Sequence, residues 1–357
     1  MALILLLTFS LNGNAQQKKT KNLVLISIDG YRWQEIFQGA DSSLFFNKKF
    51  RNQDSATLAK KYWATTALER RSKLMPFFWN TVASKGQLYG NRTQGNLVNV
   101  KNKFWFSYPG RSESLCGFYD PKINSNEYPN NPNENVLEFL NKQKGYEGKV
   151  ISFGSWGALS RILNRERNGM LVNVPGETLK DAKMTEAQKL ADELQFLLPE
   201  YFGADIRFDV TTYAMTKTYI AANHPKVIHI DFGDTDELGH AGLYSSYLDA
   251  AHYMDAMIGN LWKTMQADEF YKDNTTFFIY PDHGRGTIDK WTSHGTSAPG
   301  SNETWLAVIG PDTPATGEIK SKTQIYQDQF AQTMAQTLGF TFTANHPVAE
   351  PLPSVLH

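Results

Sequence analysis

A single cysteine, Cys116, stands among 357 residues. No disulfide can form within the chain and a cysteine-rich zinc site is excluded, so any bound metal must be held by histidine and carboxylate. Net charge is also missing, because Lys+Arg and Asp+Glu both total 36. That balance carries no electrostatic footprint for duplex nucleic acid or an anionic membrane surface. Histidine is scarce, with eight residues, one of them C-terminal. No repeat, low-complexity tract or interdomain linker divides the chain. Beyond the N-terminus no apolar run is long enough to span a bilayer. What is present is a chain with 41% hydrophobic and 20% charged residues, which suffices for a sizeable core and makes disorder an unlikely default.

The first fifteen residues, MALILLLTFSLNGNA, read as a secretory signal. Leu3 to Leu11 is a short apolar run, Gly13 and Ala15 suit a cleavage site, and the polar QQKKTK that follows fits a mature N-terminus. No Lys or Arg precedes the run, so a displaced start or a buried strand is the competing reading. The expectation is a periplasmic or secreted bacterial protein with one catalytic domain over residues 16–357; scarce cysteine suits that setting.

The rest alternates strand-like and helix-like segments. Leu23 to Ile28, Lys149 to Phe153, Val227 to Phe232, Thr275 to Tyr280 and Thr304 to Ile309 are short apolar runs without polar alternation, as in strands buried on both faces of a parallel sheet. Helical patterns cover Leu74 to Ala83, Asn135 to Lys142, Glu186 to Leu198, Thr211 to Ala222, Tyr244 to Met265 and Gln327 to Leu338. This order predicts an α/β three-layer sandwich, with a mostly parallel central sheet and helices on both faces. Asn124 to Asn133 is a long loop. Asn164 to Lys183 is irregular, and about 155–210 is expected to form a small cap.

Polar residues fall at the strand ends. Asp29 closes the first run, Asp234 and Asp236 follow Val227–Phe232, and Asp282 and His283 follow Thr275–Tyr280. Open α/β sheets bind ligands at the carboxyl ends of their strands, so three distant clusters can converge on one rim. His240, His283 and His294, and less convincingly His229, lie near these carboxylates. Mixed His/Asp ligation suits catalytic zinc, and two ions about 3.5–4 Å apart can clamp both oxygens of an in-line phosphoryl displacement. Singly, a strand-end Asp is usually a cap or turn residue; the conjunction carries the argument. Ser107 ends an aromatic run before Tyr108-Pro109-Gly110. At a helix start it fits two jobs, N-cap or a nucleophile beside a metal and an anion-binding N-terminus. Ser112 and Ser114 are weaker nucleophile candidates.

Together these motifs resemble the alkaline phosphatase superfamily, and within it the nucleotide pyrophosphatase/phosphodiesterase and phosphonoacetate hydrolase branch. The matching pieces are LISIDG at Asp29, Ser107-Tyr108-Pro109 with Gly117-Phe118-Tyr119, Asp236-x-x-Gly-His240, Asp282-His283-Gly284, and His294-Gly295 ahead of WLAVIGPD. The resemblance implies two Zn2+ ions, one on Asp236, His240 and His294, the other on Asp29, Asp282, His283 and the Ser107 oxygen. It implies a small-molecule phosphoester substrate and a covalent phospho-Ser107 intermediate. Asp234 is the alternative to Asp236 but lacks the four-residue spacing to His240. Gly110 stands where relatives often carry Asn. Asn124 or Asn126 is expected to hold a phosphoryl oxygen, and Arg111, Lys290 and Trp291, with Arg207 and Trp156, are candidate substrate contacts. The short interval from His283 to His294 leaves no room for the nucleotide-binding insertion of the animal diesterases.

Two other readings compete. Ser107-Tyr-Pro109-Gly-Arg111 also fits Ser-x-Pro-x-Arg, the sulfatase pattern whose serine becomes formylglycine. Sulfatases resemble one another in a paired Asp-Asp after the first strand and one hard calcium, whereas Asp29 is followed by Gly30 and three His supply a zinc-like site. A non-catalytic exported binding protein is the second alternative, and its mark would be lost ligands.

Overall fold

The computed structural model describes residues 18–179 and 183–356; the signal-like segment lies outside them. The strands, in chain order, are β1 Asn22–Ile28, β2 Gln87–Tyr89, β3 Asn96–Asn99, β4 Val150–Gly154, β5 Leu171–Asn173, β6 Val227–Phe232, β7 Thr275–Pro281, β8 Glu303–Thr304, β9 Leu306–Ile309, β10 Gly317–Glu318 and β11 Thr323–Tyr326. Eight of them form the main sheet in the order β10-β2-β9-β7-β1-β6-β4-β5, and β11-β3-β8 form a small second sheet. β1 is parallel to both β6 and β7, with Ile28 level with Phe232 on one side and Pro281 on the other. β9 runs antiparallel to both its neighbours.

The principal helices are α1 Ser107–Cys116, α2 Val136–Asn141, α3 Glu186–Leu197, α4 Asp209–Asn223, α5 Asp234–His240, α6 Tyr244–Gln266 and α7 Phe330–Thr337. β1 shows how the layers form. Successive strand side chains face opposite ways, so Val24, Ile26 and Ile28 join one core with residues of α4 and α6. Leu23 and Leu25 join the other core with residues of α1, α2 and α7. Every β1 side chain is buried, at roughly 1.5–3 kcal/mol for each large aliphatic one. That two-sided burial is why the run reads as continuously apolar.

Three expectations change. The helix expected over Leu74 to Ala83 starts at Pro76 and runs on to Lys85 with a π-turn over Phe78–Val82, while a separate helix ends at Leu74. Pro76 opens the second helix, where its missing N–H costs nothing, and it pushes Met75 out of the helical region, to φ −126° and ψ 66°. The run Thr304 to Ile309 splits at Trp305 between the two sheets, where the buried indole donates to the Tyr31 carbonyl at 3.0 Å. Within 155–210, β5 is hydrogen-bonded to β4 as the edge of the main sheet, so part of the expected cap is sheet. Three residues were too short a run to be read as a strand.

Candidate functional site

Because β1 lies between β6 and β7, the residues after these three strands share one rim. Asp29 is held there by its N–H to the Phe232 carbonyl at 2.9 Å and by its own carbonyl, which accepts from Thr235 Oγ1 at 2.6 Å. Gly30 takes φ +58°, and a Cβ there would run into Asp236 Oδ1. The Asp-Gly pair is thus a close-approach requirement as well as a turn.

Ser107 is the first residue of α1, and Phe106 holds the N-cap position without a side-chain cap bond. The capping job is therefore not the one Ser107 performs. Its Oγ lies 3.2 Å from both Asp29 Oδ1 and His283 Nε2. The approach to it is braced. Glu113, on α1, accepts from the N–H groups of Lys101 and Asn102 at 2.8 and 2.7 Å, and Asn102 Oδ1 accepts from those of Phe104 and Trp105. Trp105 sits at φ +57°, a region that costs a bulky residue on the order of 1–3 kcal/mol. Its carbonyl accepts the Gly295 N–H at 3.0 Å, tying the serine loop to the segment that carries His294. Gly110 is glycine because a Cβ there would strike the Asp282 carbonyl oxygen, which is why the Asn of similar sequences has no room.

Around the serine, the structure brings together all six expected ligand side chains. Asp29, Asp282 and His283 form one group with donor atoms within 4.8 Å of one another, and Asp236, His283 and His294 form another. His240 Nε2 lies 2.9 Å from Asp236 Oδ2 and 3.0 Å from His294 Nε2. Asp234 is not part of this; its Oδ1 accepts the Asp209 N–H at 3.2 Å at the start of α4.

Two buried arginines back these carboxylates. Arg111 pairs with Asp29 at 3.0 Å, Asp231 at 2.8 Å and Asp282. Arg285 pairs with Asp236 and donates through Nε to the Trp291 carbonyl at 2.8 Å. Burial raises the Asp29 carboxyl, but Arg111 and His283 outweigh it and its pKa lies below the usual value. Burial likewise raises Asp236, but Arg285 and His294 bring it well below. Burial, with Asp29 and Asp231 nearby, drives Asp282 well above.

The donor set fits divalent cations. Three carboxylates share one guanidinium, an excess of buried negative charge that calls for further positive charge. With His240 Nδ1 donating to the Thr292 carbonyl and His283 Nδ1 to that of Gly284, both Nε2 atoms present lone pairs inward, the usual tautomer of a metal-binding imidazole. The close approach of His240 and His294 Nε2 atoms is stable only with a proton or cation between them.

The substrate candidates fare unevenly. Asn126 Oδ1 accepts from the Tyr108 N–H at 2.9 Å, placing its amide beside the serine; Asn124 is exposed. Lys290 is exposed on the turn Ile288–Lys290. Trp291 and Arg111, both expected to touch substrate, are wholly buried. Trp291 packs among Phe50, Tyr244 and Tyr247, and all the donor atoms of Arg111 are turned to carboxylates. Arg207 is buried against Asn173 and Thr212. Trp156 is half-buried, with the Arg111 guanidinium 5.4 Å from its ring centre. His229 lies inside the sheet between Ser27 and Ser152, where burial and then Arg111 push its pKa down to about 3. Ser112 and Ser114 are buried away from the ligands. Sequence reasoning missed Arg285 and Asp231; the only local signal was the arginine directly after Asp-His-Gly.

A mostly parallel sheet with a His/Asp cluster at its carboxyl rim defines an alkaline-phosphatase-like fold carrying candidate metal-binding groups. Comparison bears out the fold. The Metalloenzyme superfamily matches residues 175–298, which include every expected ligand except Asp29 and Ser107. No curated protein matches by sequence. Among solved structures, alkaline phosphatase PafA superposes with a TM-score of 0.62 at 10% identity, over 96% of this chain and 99% of that one. A putative sulfatase from Bacteroides thetaiotaomicron gives 0.59 at 14% identity, over 94% and 74%. The phosphonate monoester hydrolase of Agrobacterium radiobacter gives 0.59 at 13%, over 94% and 77%.

Proposed function

We propose that this protein is an exported, two-zinc hydrolase of small phosphoric esters that acts through a covalent phospho-Ser107 intermediate. The observation that carries the reading is the position of Ser107 Oγ, 3.2 Å from an aspartate and a histidine of one ligand group at the first turn of a helix. Asp236, His240 and His294 would hold one ion, and Asp29, Asp282, His283 and the serine oxygen the other. Bound there, the ions supply Lewis acidity and neutralise charge on the attacking and leaving oxygens. The chain's own residues do the rest. Asp29 Oδ1 accepts the Ser107 hydroxyl hydrogen and aims Oγ. The α1 N-terminus favours the anion. Asn126, with Oδ1 committed to Tyr108, keeps its Nδ2 donors for a phosphoryl oxygen. Phe104, Trp105 and Phe106, half-buried before the serine, offer an apolar wall to an ester group.

A sulfatase reading keeps one observation in its favour, the Ser-x-Pro-x-Arg spacing of Ser107, Pro109 and Arg111. The imidazoles argue against it, since a single hard calcium prefers oxygen donors. Rates on p-nitrophenyl phosphate, its phosphodiester analogues and its sulfate, with mass spectrometry of the Ser107 peptide, decide. Phosphoester turnover with an unmodified serine is expected; formylglycine with sulfate turnover overturns the proposal.

A further inference from the structure

Arg285 is wholly buried, yet no substrate role accounts for it. Its Nη1 takes Asp236 Oδ1, the oxygen turned from the imidazoles, while Oδ2 faces His240 at 2.9 Å and His294 at 3.7 Å. Its Nε is pinned by the Trp291 carbonyl at 2.8 Å, three residues before His294. The backbone has been cleared for this guanidinium. A Cβ at Gly239 would stand 2.6 Å from Nε and 2.7 Å from Cζ, and one at Gly30 would stand 3.1 Å from Nη1. The glycine before His240 is therefore room for an arginine that arrives from the end of a different strand.

We propose that Arg285 is a positioning residue for one metal ion: it commits Asp236 to presenting a single oxygen beside His240 and His294. This rests on the two-metal reading above. Arginine suits the task because its planar fork bonds Asp236 and the Trp291 carbonyl at once, which a lysine ammonium cannot do with the same rigidity. Outer partners of metal ligands typically contribute 10–100-fold in metal affinity. The opposing effect is also definite: removing a nearby positive charge favours a cation. A pure charge role therefore predicts tighter zinc binding when Arg285 is lost, and a positioning role predicts weaker binding.

The test is equilibrium dialysis of metal-stripped protein against zinc alone, with metal per chain counted. Wild type should take two ions. Arg285→Gln should keep one at wild-type affinity and weaken the other by roughly 10–100-fold, with Arg285→Lys in between. Gly239→Ala leaves the arginine and its charge in place but displaces the guanidinium, and should show the same one-site deficit even if Arg285→Gln folds poorly. Combining Arg285→Gln with His240→Ala should add little to His240→Ala alone, because both act on one ion. Two ions bound with unchanged or tighter affinity in a folded Gly239→Ala protein overturn the inference alone. A wild-type protein that takes up no zinc overturns the two-metal reading beneath it.

Discussion

At the scale of single residues, the proposed chemistry rests on one hydroxyl and its supports. Ser107→Ala should lower kcat by at least about 10³-fold while zinc per chain is unchanged, read by steady-state kinetics beside metal analysis; a surviving rate moves the nucleophile elsewhere. Glu113 is a different kind of residue, a buried acceptor for three N–H groups of Lys101 and Asn102. Glu113→Gln turns a donor toward those donors and should cost about 1–3 kcal/mol, seen as a lower denaturation midpoint. It should also slow turnover, because Asn102 in turn holds the strained Trp105. Single residues were legible where a polar group interrupts an apolar run, as at Asp29 and Asp282. They were not legible where a side chain's direction decides its role. Trp291 lies between two expected ligand histidines in sequence, yet its ring turns into the core.

At the scale of elements, spacing within one helix was readable, and contact between elements was not. Asp236 and His240 are four apart on α5, one turn of a helix, so their shared face follows from sequence alone. Arg111 also sits one turn after Ser107, but nothing in the sequence says that it meets Asp29, Asp231 and Asp282 from three other segments. The packing of α1 against the end of β7 is equally hidden, and Gly110 marks it. Gly110→Ala forces a methyl onto the backbone carbonyl of Asp282, which cannot swing aside. The expected cost is about 1–3 kcal/mol, together with a fall in kcat as Ser107 is pushed from its partners; calorimetry and kinetics on one preparation measure both.

At the scale of the whole molecule, the central strands were recoverable, though not their order in the sheet, because strands buried on both faces leave continuous apolar runs, and short edge strands such as β5 and β10 leave almost none. Metal and fold should be coupled. A ligand at 100 times its Kd stabilises the native state by about 2.7 kcal/mol, so excess zinc should raise Tm over chelator-treated protein. Protons compete for the same site. The hydrogen bond that protonated His240 donates to Asp236 raises its pKa above the ordinary 6.5, so the metal-free imidazole keeps its proton to a higher pH. Zinc affinity should therefore climb as pH rises from 6 to 8, with proton release that calorimetry in buffers of different ionisation enthalpy can count.

The strand that carries Asp29 lies in the middle of the sheet, yet both its neighbours come from the second half of the chain. During synthesis Asp29 therefore waits for the rest of its surroundings until His283 and His294 have emerged. A nascent or truncated chain ending before that point would hold only part of the proposed cage. On the two-metal proposal, loading is then a late event, open only to a chain that has emerged as far as His294.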